Sequence, residues 1–367
     1  MLLYKGPRNQ ILEPLQSVCG IVEKRHTLPI LSNVLIEKEG GRLTLLATDI
    51  EIQIKTGAEV AGNETASLTV AARKLQDILR SLSEDAEVAL SFEDKRLYVK
   101  AGKSKFNLQT LPAEDFPRMS QGEATPTRIS VSQKQFKRQL SLVQYAMAQQ
   151  DIRYYLNGLL LVVKGNEMRM VATDGHRLAY ASENLGEQNQ SIEVILPRKT
   201  VLELSRQLAD NDDLLEIALA PTQALFRFGS IEFISKLIDG KFPDYERVIP
   251  QNHGNLLKLS RTGLLQSLLR AKILTNEKTP GVRLVISAGS LKIISNNVER
   301  EEANEEIDID YAGDAIDIGF NVNYILDVLN NVSSDAIECR LGDTNSSALF
   351  SLPGNDNFKY VVMPMRI

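Results

Sequence analysis

Cysteine and histidine are scarce. Cys19 and Cys339 are the only cysteines in 367 residues, too few for a disulfide framework, and a reduced compartment is expected. His26, His176 and His253 are the only histidines, which leaves little from which to build a zinc site. The longest apolar runs, such as Leu159 to Val163, fall far short of the ~20 residues that span a bilayer. The start, Met1-Leu-Leu-Tyr-Lys-Gly-Pro, has no signal-peptide core, so a cytoplasmic protein with no membrane contact is expected. Positive charge is not in excess: 42 Lys plus Arg against 47 Asp plus Glu give −5, which taken whole argues against nucleic acid. Catalytic signatures are missing too. There is no Walker A pattern, since Gly102-Lys-Ser lacks a glycine five residues earlier, and no Gly-x-Ser-x-Gly, His-Glu-x-x-His or Cys-x-x-Cys. No cofactor or metal is expected.

What is present is a soluble globular composition, 43% hydrophobic and 24% charged, in a chain long enough for two or three domains. Self-similarity decides for three. Each third begins with an amphipathic helical stretch, at Ile11, Phe136 and Gly263, and Leu15, Leu140 and Leu265 stand 125 apart. A strand pair follows, read from period-two alternation, and ends in Ala-Thr-Asp twice, with Asp49 and Asp174 again 125 apart and Asn297 in the last third. Second helices follow at Ala72, Pro197 and Val322, and Arg73, Arg198 and Asn323 keep the same step. Another strand hairpin closes each third, so each is helix, strands, helix, strands and its two halves look alike. The expected units are 1–122, 128–250 and 251–367, with linkers near Gly122 to Arg128 and Pro250 to Asn255.

Partitioned by element, the acidic total conceals a basic layer. The six helical stretches sum to +11, five of them positive, so the remainder carries −16. Basic helices on an acidic body suit attraction to a phosphate backbone without sequence readout, although Lys and Arg are also ordinary residues of solvated helix faces. The candidates are Arg25, Lys134, Lys137, Arg138, Arg198, Lys199, Arg206, Arg270 and Lys272, with Gln149, Gln150, Tyr154 and Tyr155 as polar and stacking contacts. Asp174-Gly-His-Arg177 is the one tempting catalytic cluster, as an acid/base pair or metal ligands, but nothing recurs beside it at ligand spacing.

Thr27-Leu-Pro-Ile-Leu-Ser-Asn33, Tyr154-Tyr-Leu-Asn-Gly158, Val171-Ala-Thr-Asp-Gly-His-Arg-Leu178, Asp239-Gly-Lys-Phe-Pro-Asp-Tyr245 and Tyr360-Val-Val-Met-Pro-Met-Arg366 together resemble the bacterial DNA polymerase III β subunit, the sliding clamp, over the whole chain. The resemblance implies an α+β fold of three tandem clamp domains, helices on one face of antiparallel sheets, closing head to tail with a second copy into a six-domain ring. It implies a non-catalytic processivity factor on double-stranded DNA, with DNA contacts at Arg25, Lys137, Arg138, Gln150, Tyr154, Tyr155, Arg198 and Lys199. The sixth helix, with Asn323 and Tyr324 in place of basic pairs, departs from this pattern. Partners implied are the DNA polymerase III catalytic subunit, an ATP-dependent clamp loader, and other DNA polymerases and repair proteins.

The same resemblance implies a hydrophobic peptide cleft between the second and third domains at Leu156, Thr173, Gly175, His176, Arg177, Leu178, Pro243, Arg247, Val248, Val361, Val362, Met363, Pro364, Met365 and Arg366. Two methionines in an apolar tail offer an adaptable surface for several partners. Head-to-tail closure needs two unlike ends that fit. Lys95, Arg96, Lys103 and Lys105 are expected to face Glu299, Glu301, Glu302, Glu305 and Glu306, with Phe106, Ile273 and Leu274 as the apolar centre.

Overall fold

The computed structural model describes residues 1–23, 27–120 and 126–367, and the side chains of all of these except 187–189. The first third runs β1 (Leu2–Pro7), α1 (Arg8–Cys19), β2 (Asn33–Glu39), β3 (Arg42–Thr48), β4 (Ile52–Glu59), β5 (Ala66–Ala71), α2 (Ala72–Ser81), β6 (Glu87–Glu93), β7 (Arg96–Ala101) and β8 (Ser104–Leu111). The second runs β9 (Thr127–Ser132), α3 (Gln133–Val143), β10 (Gly158–Thr173), β11 (Arg177–Pro197), α4 (Arg198–Gln207), β12 (Leu214–Leu219), β13 (Gln223–Phe228) and β14 (Ile231–Lys236). The third runs β15 (Asn255–Ser260), α5 (Arg261–Lys272), β16 (Gly281–Ser287), β17 (Ser290–Asn296), β18 (Glu302–Asp308), β19 (Ile316–Asn321), α6 (Val322–Asn331), β20 (Ala336–Leu341), β21 (Ala348–Leu352) and β22 (Asn355–Val362).

The repeat is finer than the threefold one. Every helix follows directly on a strand and is succeeded by three, so a strand-helix-strand-strand-strand unit occurs six times. In the middle third β10 and β11 each join two such strands, and register shifts around Gly165 mark the join. The strand before each helix runs straight into it with no loop between, which hides it from a reading of strand hairpins. α5 also begins 128 residues after α3, so the buried counterpart of Leu15 and Leu140 is Leu268 rather than the half-buried Leu265.

The chain forms two compact units, Met1–Gln135 with Leu202–Leu237 and Phe136–Val201 with Ile238–Ile367. The first holds a twelve-stranded sheet in the order β1-β6-β7-β8-β5-β2-β3-β4-β14-β13-β12-β9. The second holds a six-stranded sheet, β10-β11-β22-β21-β20-β15, and a four-stranded one, β18-β17-β16-β19. All pairs are antiparallel, and β13, β17 and β20 alternate buried with half-buried residues as one-face-covered strands should. Helices cover that face: α1 buries Ile11, Leu12, Leu15 and Val18, and α6 buries Val322, Ile325, Leu326 and Leu329, the spacing of a single helical stripe. Ser260 and Asn321 cap α5 and α6 by accepting from the amides of Gly263 and Asn323.

Two seams join the thirds edge to edge. β4 pairs with β14, Lys55 opposite Glu232 and Ile52 opposite Ser235. β11 pairs with β22, Arg177 opposite Val362 and Ala181 opposite Phe358. Both cysteines are buried and unpaired, and burial pushes each thiol up to about 12.

Candidate partner cleft and helical face

The motif Ala-Thr-Asp builds a turn. Between β10 and β11, Thr173 Oγ1 donates to the Arg177 carbonyl (2.6 Å) and accepts from the Gly175 amide (3.1 Å), while Asp174 Oδ1 accepts from the amides of His176 (2.9 Å) and Arg177 (3.0 Å). Between β3 and β4 the same bonds recur: Thr48 to the Ile52 carbonyl (2.7 Å), and Asp49 Oδ1 to the amides of Glu51 (3.0 Å) and Ile52 (2.7 Å). Such local bonds are what Thr and Asp favour in turns. The Asp174 carboxylate is therefore occupied by two backbone amides and the Arg177 guanidinium (3.0 Å), and its contact with His176 is to the main chain. Gly175 sits at φ +88°, where a Cβ would lie 3.0 Å from both terminal nitrogens of Arg153.

This turn forms one wall of a cavity of about 190 Å³ with Leu156, Leu178, Pro243, Tyr245, Val248, Val361 and Met363. Leu156, Leu178 and Val361 belong to a buried cluster with Leu160, Val171 and Phe242, against which Tyr155, Tyr245 and Val248 pack. The segment carrying Leu156 is tied down by Asn157, whose side chain accepts from the Asp151 amide (2.9 Å) and donates to the Asp151 carbonyl (2.8 Å). Arg169 donates to the Tyr245 hydroxyl (3.3 Å) while paired with Glu167 and Glu246 (2.8 Å each). The C-terminal tail enters beside the turn, the Met363 amide donating to the His176 carbonyl (2.9 Å).

Ten of the expected cleft residues line this cavity: Leu156, Thr173, Gly175, His176, Arg177, Leu178, Pro243, Val248, Val361 and Met363. Arg247 is exposed and pairs with Asp244 (2.8 Å). Val362 is fully buried in β22. Beyond it, Pro364, Met365 and Arg366 lead the tail onto β19, where the Met365 amide donates to the Gly319 carbonyl (2.7 Å). A Cβ at Gly319 would strike the Met365 carbonyl and Ile367. Sequence reasoning missed Arg153 and Tyr245 for the cavity, and Tyr155, named for DNA, lines it as well. The signal for Tyr245 was its place two residues beyond Pro243 in the Phe-Pro-Asp-Tyr segment.

The helical cations divide into two classes. Arg8 donates to the Leu82 carbonyl (2.7 Å), Arg73 to Val22 (2.6 Å), Arg261 to Ser334 and Leu329 (2.8 and 3.0 Å) and Arg198 to Met147 (3.3 Å). Arg206 and Arg270 pair with Glu203 and Glu305. Lys74, Arg80, Lys134, Arg138, Lys199 and Lys272 are exposed, Lys137 is half-buried, and Gln149, Gln150 and Tyr154 are exposed in the loop after α3. Arg25 lies outside the described residues, as does the first linker at 121–125.

Among the described residues no group of three or more His, Cys, Asp or Glu is placed to hold a metal ion. No described helix is long and apolar enough to cross a membrane.

Comparison with known proteins gives the family. Residues 5–120, 130–244 and 246–366 match, in order, the N-terminal, central and C-terminal domains of the DNA polymerase III beta subunit. The chain belongs to the DNA polymerase III beta subunit family. The beta sliding clamp of Pseudomonas putida is 47% identical over 362 residues, 98% of each chain, and that of Escherichia coli K12 is 44% identical over 361 residues, also 98% of each. A crystal structure of the DNA polymerase III subunit beta from Pseudomonas aeruginosa superposes with a TM-score of 0.96 at 45% identity, covering both chains fully. As a beta subunit the chain is three tandem clamp domains and a non-catalytic processivity factor, the sliding clamp of DNA polymerase III. Asp174 and His176 accordingly serve the turn and the cleft, not a reaction.

Proposed function

We propose that two copies close head to tail into a ring around duplex DNA, with domains at 1–122, 128–250 and 251–367, and that the ring holds the polymerase at the primer end through the cleft described above. One observation carries this reading: a third seam stands open. The twelve-stranded sheet leaves the outer edge of β8 unpaired over Ser104 to Gln109, since β5 meets only its last two residues, and β18 pairs only with β17 among the described residues. By position in the repeat, β8 corresponds to β14 and β22, and β18 to β4 and to the start of β11. Those four strands make the two seams already formed. The hairpins that set Phe228 opposite Ile231 and Ala101 opposite Ser104 make Lys105 the counterpart of Glu232, and those that set Thr48 opposite Gln53 and Asn296 opposite Glu302 make Asn304 the counterpart of Lys55, so the β4–β14 register carried forward sets Lys105 of one copy opposite Asn304 of the other.

Charge supports the same closure. Lys95, Arg96, Lys103 and Lys105 are exposed around β7 and β8, with Phe106 half-buried, while Glu299, Glu301, Glu302 and Glu306 are exposed around β18. Glu305 is engaged by Arg270 within the chain, so it braces α5 against β18 instead of waiting for the partner. Ile273, just past α5, is 77% exposed and Leu274 half-buried. Their counterparts have cover: Gly20 packs against Glu203 and Arg206, and Tyr145 stacks on Tyr360 with ring centres 5.5 Å apart.

Lys137, Arg138, Arg198, Lys199, Gln150, Tyr154 and Arg25 are proposed to touch the phosphate backbone and Tyr155 to serve both DNA and cleft. Without base-edge readout such contacts let a ring slide. An ATP-dependent loader, other DNA polymerases and repair proteins are proposed as further partners of the cleft, in the cytoplasm. The cleft is tested by Met363→Asp, a partly exposed lining residue: polymerase binding should fall at least tenfold while the dimer mass stays unchanged. Unaltered binding would refute the assignment.

A further inference from the structure

Arg177 lines the cleft, but its guanidinium points away from any ligand. Four contacts engage it: Nε with Asp174 Oδ2 (3.0 Å), Nη2 with the Tyr145 carbonyl (2.6 Å), and Nη1 with Asp327 Oδ2 and, at 3.5 Å, the Tyr360 hydroxyl. Its face covers the Tyr324 ring, 4.5 Å from carbon to ring centre. Tyr360 in turn donates to the Tyr324 carbonyl (2.8 Å). An arginine offers five N–H donors, so little is left for a peptide carboxylate, and the side chain is only 10% exposed. Tyr324 and Asp327 belong to α6, the one helix of the six whose stretch is net negative.

We infer that Asp327 is a positioning residue for the partner cleft, acting through Arg177 to hold the Thr173–Arg177 turn against α6. The inference rests on the reading of the cavity as the partner site. Arg177 then recognises a peptide by the shape of the wall it braces, not by its charge. Bidentate or multiply bonded arginines fix geometry in this way. α6 and the cleft consequently move as one piece, which gives this otherwise unpaired acidic side chain on a helix its reason.

The test uses the full chain and the isosteric variant Asp327→Asn, which keeps the α6 backbone bond from Asn331 to the Asp327 carbonyl. Two labelled apolar heptapeptides of Leu and Phe, differing only in Asn or Asp at one position, are titrated by anisotropy. The variant keeps an acceptor but loses its charge, and should weaken both about fivefold, the loss expected for one ordinary hydrogen bond, and should cause no further loss in an Arg177→Ala background. An unchanged affinity, a gain confined to the Asp peptide, or a loss that persists without Arg177 would each overturn the inference. Hydrogen exchange on the unliganded protein separates this from failure of the cleft reading. The amides of Gly175, His176 and Arg177 should exchange roughly tenfold faster in Asp327→Asn than in wild type, whether or not a peptide binds. Unchanged exchange there overturns the positioning role by itself.

Discussion

Ile273→Ala is the sharpest single-residue test of closure, because this side chain has no use within one chain. Burying an isoleucine fully is worth about 1.5–3 kcal/mol, and with 77% of it exposed about three-quarters of that is available to a partner, or roughly 1–2 kcal/mol per interface. A closed dimer has two identical interfaces by symmetry. The substitution should thus cost the dimer roughly 2–4 kcal/mol, about 30- to 700-fold in its dissociation constant at 1.4 kcal/mol per tenfold. Sedimentation equilibrium across a dilution series would follow the shift from twice the 40.8 kDa of one chain toward a single chain. The thermal midpoint at low concentration should hold, since the residue lies outside the chain's core. Leu214→Ala, a substitution of another exposed apolar residue (56%) at the start of β12, serves as control and should leave the dissociation constant alone. A dissociation constant within twofold of wild type, or a destabilised single chain, would refute the argument from the open seam.

The buried tyrosines behind the cleft make a matched pair. The Tyr145 hydroxyl is buried without a hydrogen-bond partner, so Tyr145→Phe should be neutral or stabilising in a chemical unfolding curve, whereas Tyr360→Phe loses the bond to the Tyr324 carbonyl and should cost about 1–2 kcal/mol. The side chain of Arg153, hydrogen-bonded to Asp151, holds that carboxyl down from its usual 3.8 to about 2. A depressed carboxyl contributes order that is complete above the ordinary value and is lost as pH falls through the lowered one. The loop before Leu156 should therefore keep its amide shifts down to about pH 3 and lose them near pH 2, and Arg153→Ala should move the titration back toward 4.

The sequence-level repeat was legible because it is written in buried or turn-forming residues. Leu15 and Leu140 are fully buried, and Asp49 and Asp174 make the same pair of amide bonds. The likeness of the two halves of each third was legible too, but the strand ahead of each helix was not, because it runs into the helix with no loop between. Charge counting could not tell a cation bonded within the chain from an exposed one: Arg8, Arg73 and Arg261 satisfy backbone carbonyls far along the chain. Arg177 was named for the cleft on the resemblance, and nothing in the sequence links it with Asp327, 150 residues away. Ten of the residues named on the resemblance line the cavity, while Tyr245 was passed over although it closes a matched segment; the docking of the tail on Gly319 was not legible because it depends on a hydrogen bond between main chains.

The central claim is topological, so the most direct measurement is the lifetime of the protein on closed circular DNA compared with the same DNA cut once, after loading by the cellular loader. Encirclement predicts retention on the closed circle through a salt wash that screens phosphate contacts, and prompt loss through the ends once it is linearised. Equal loss from both forms would contradict it.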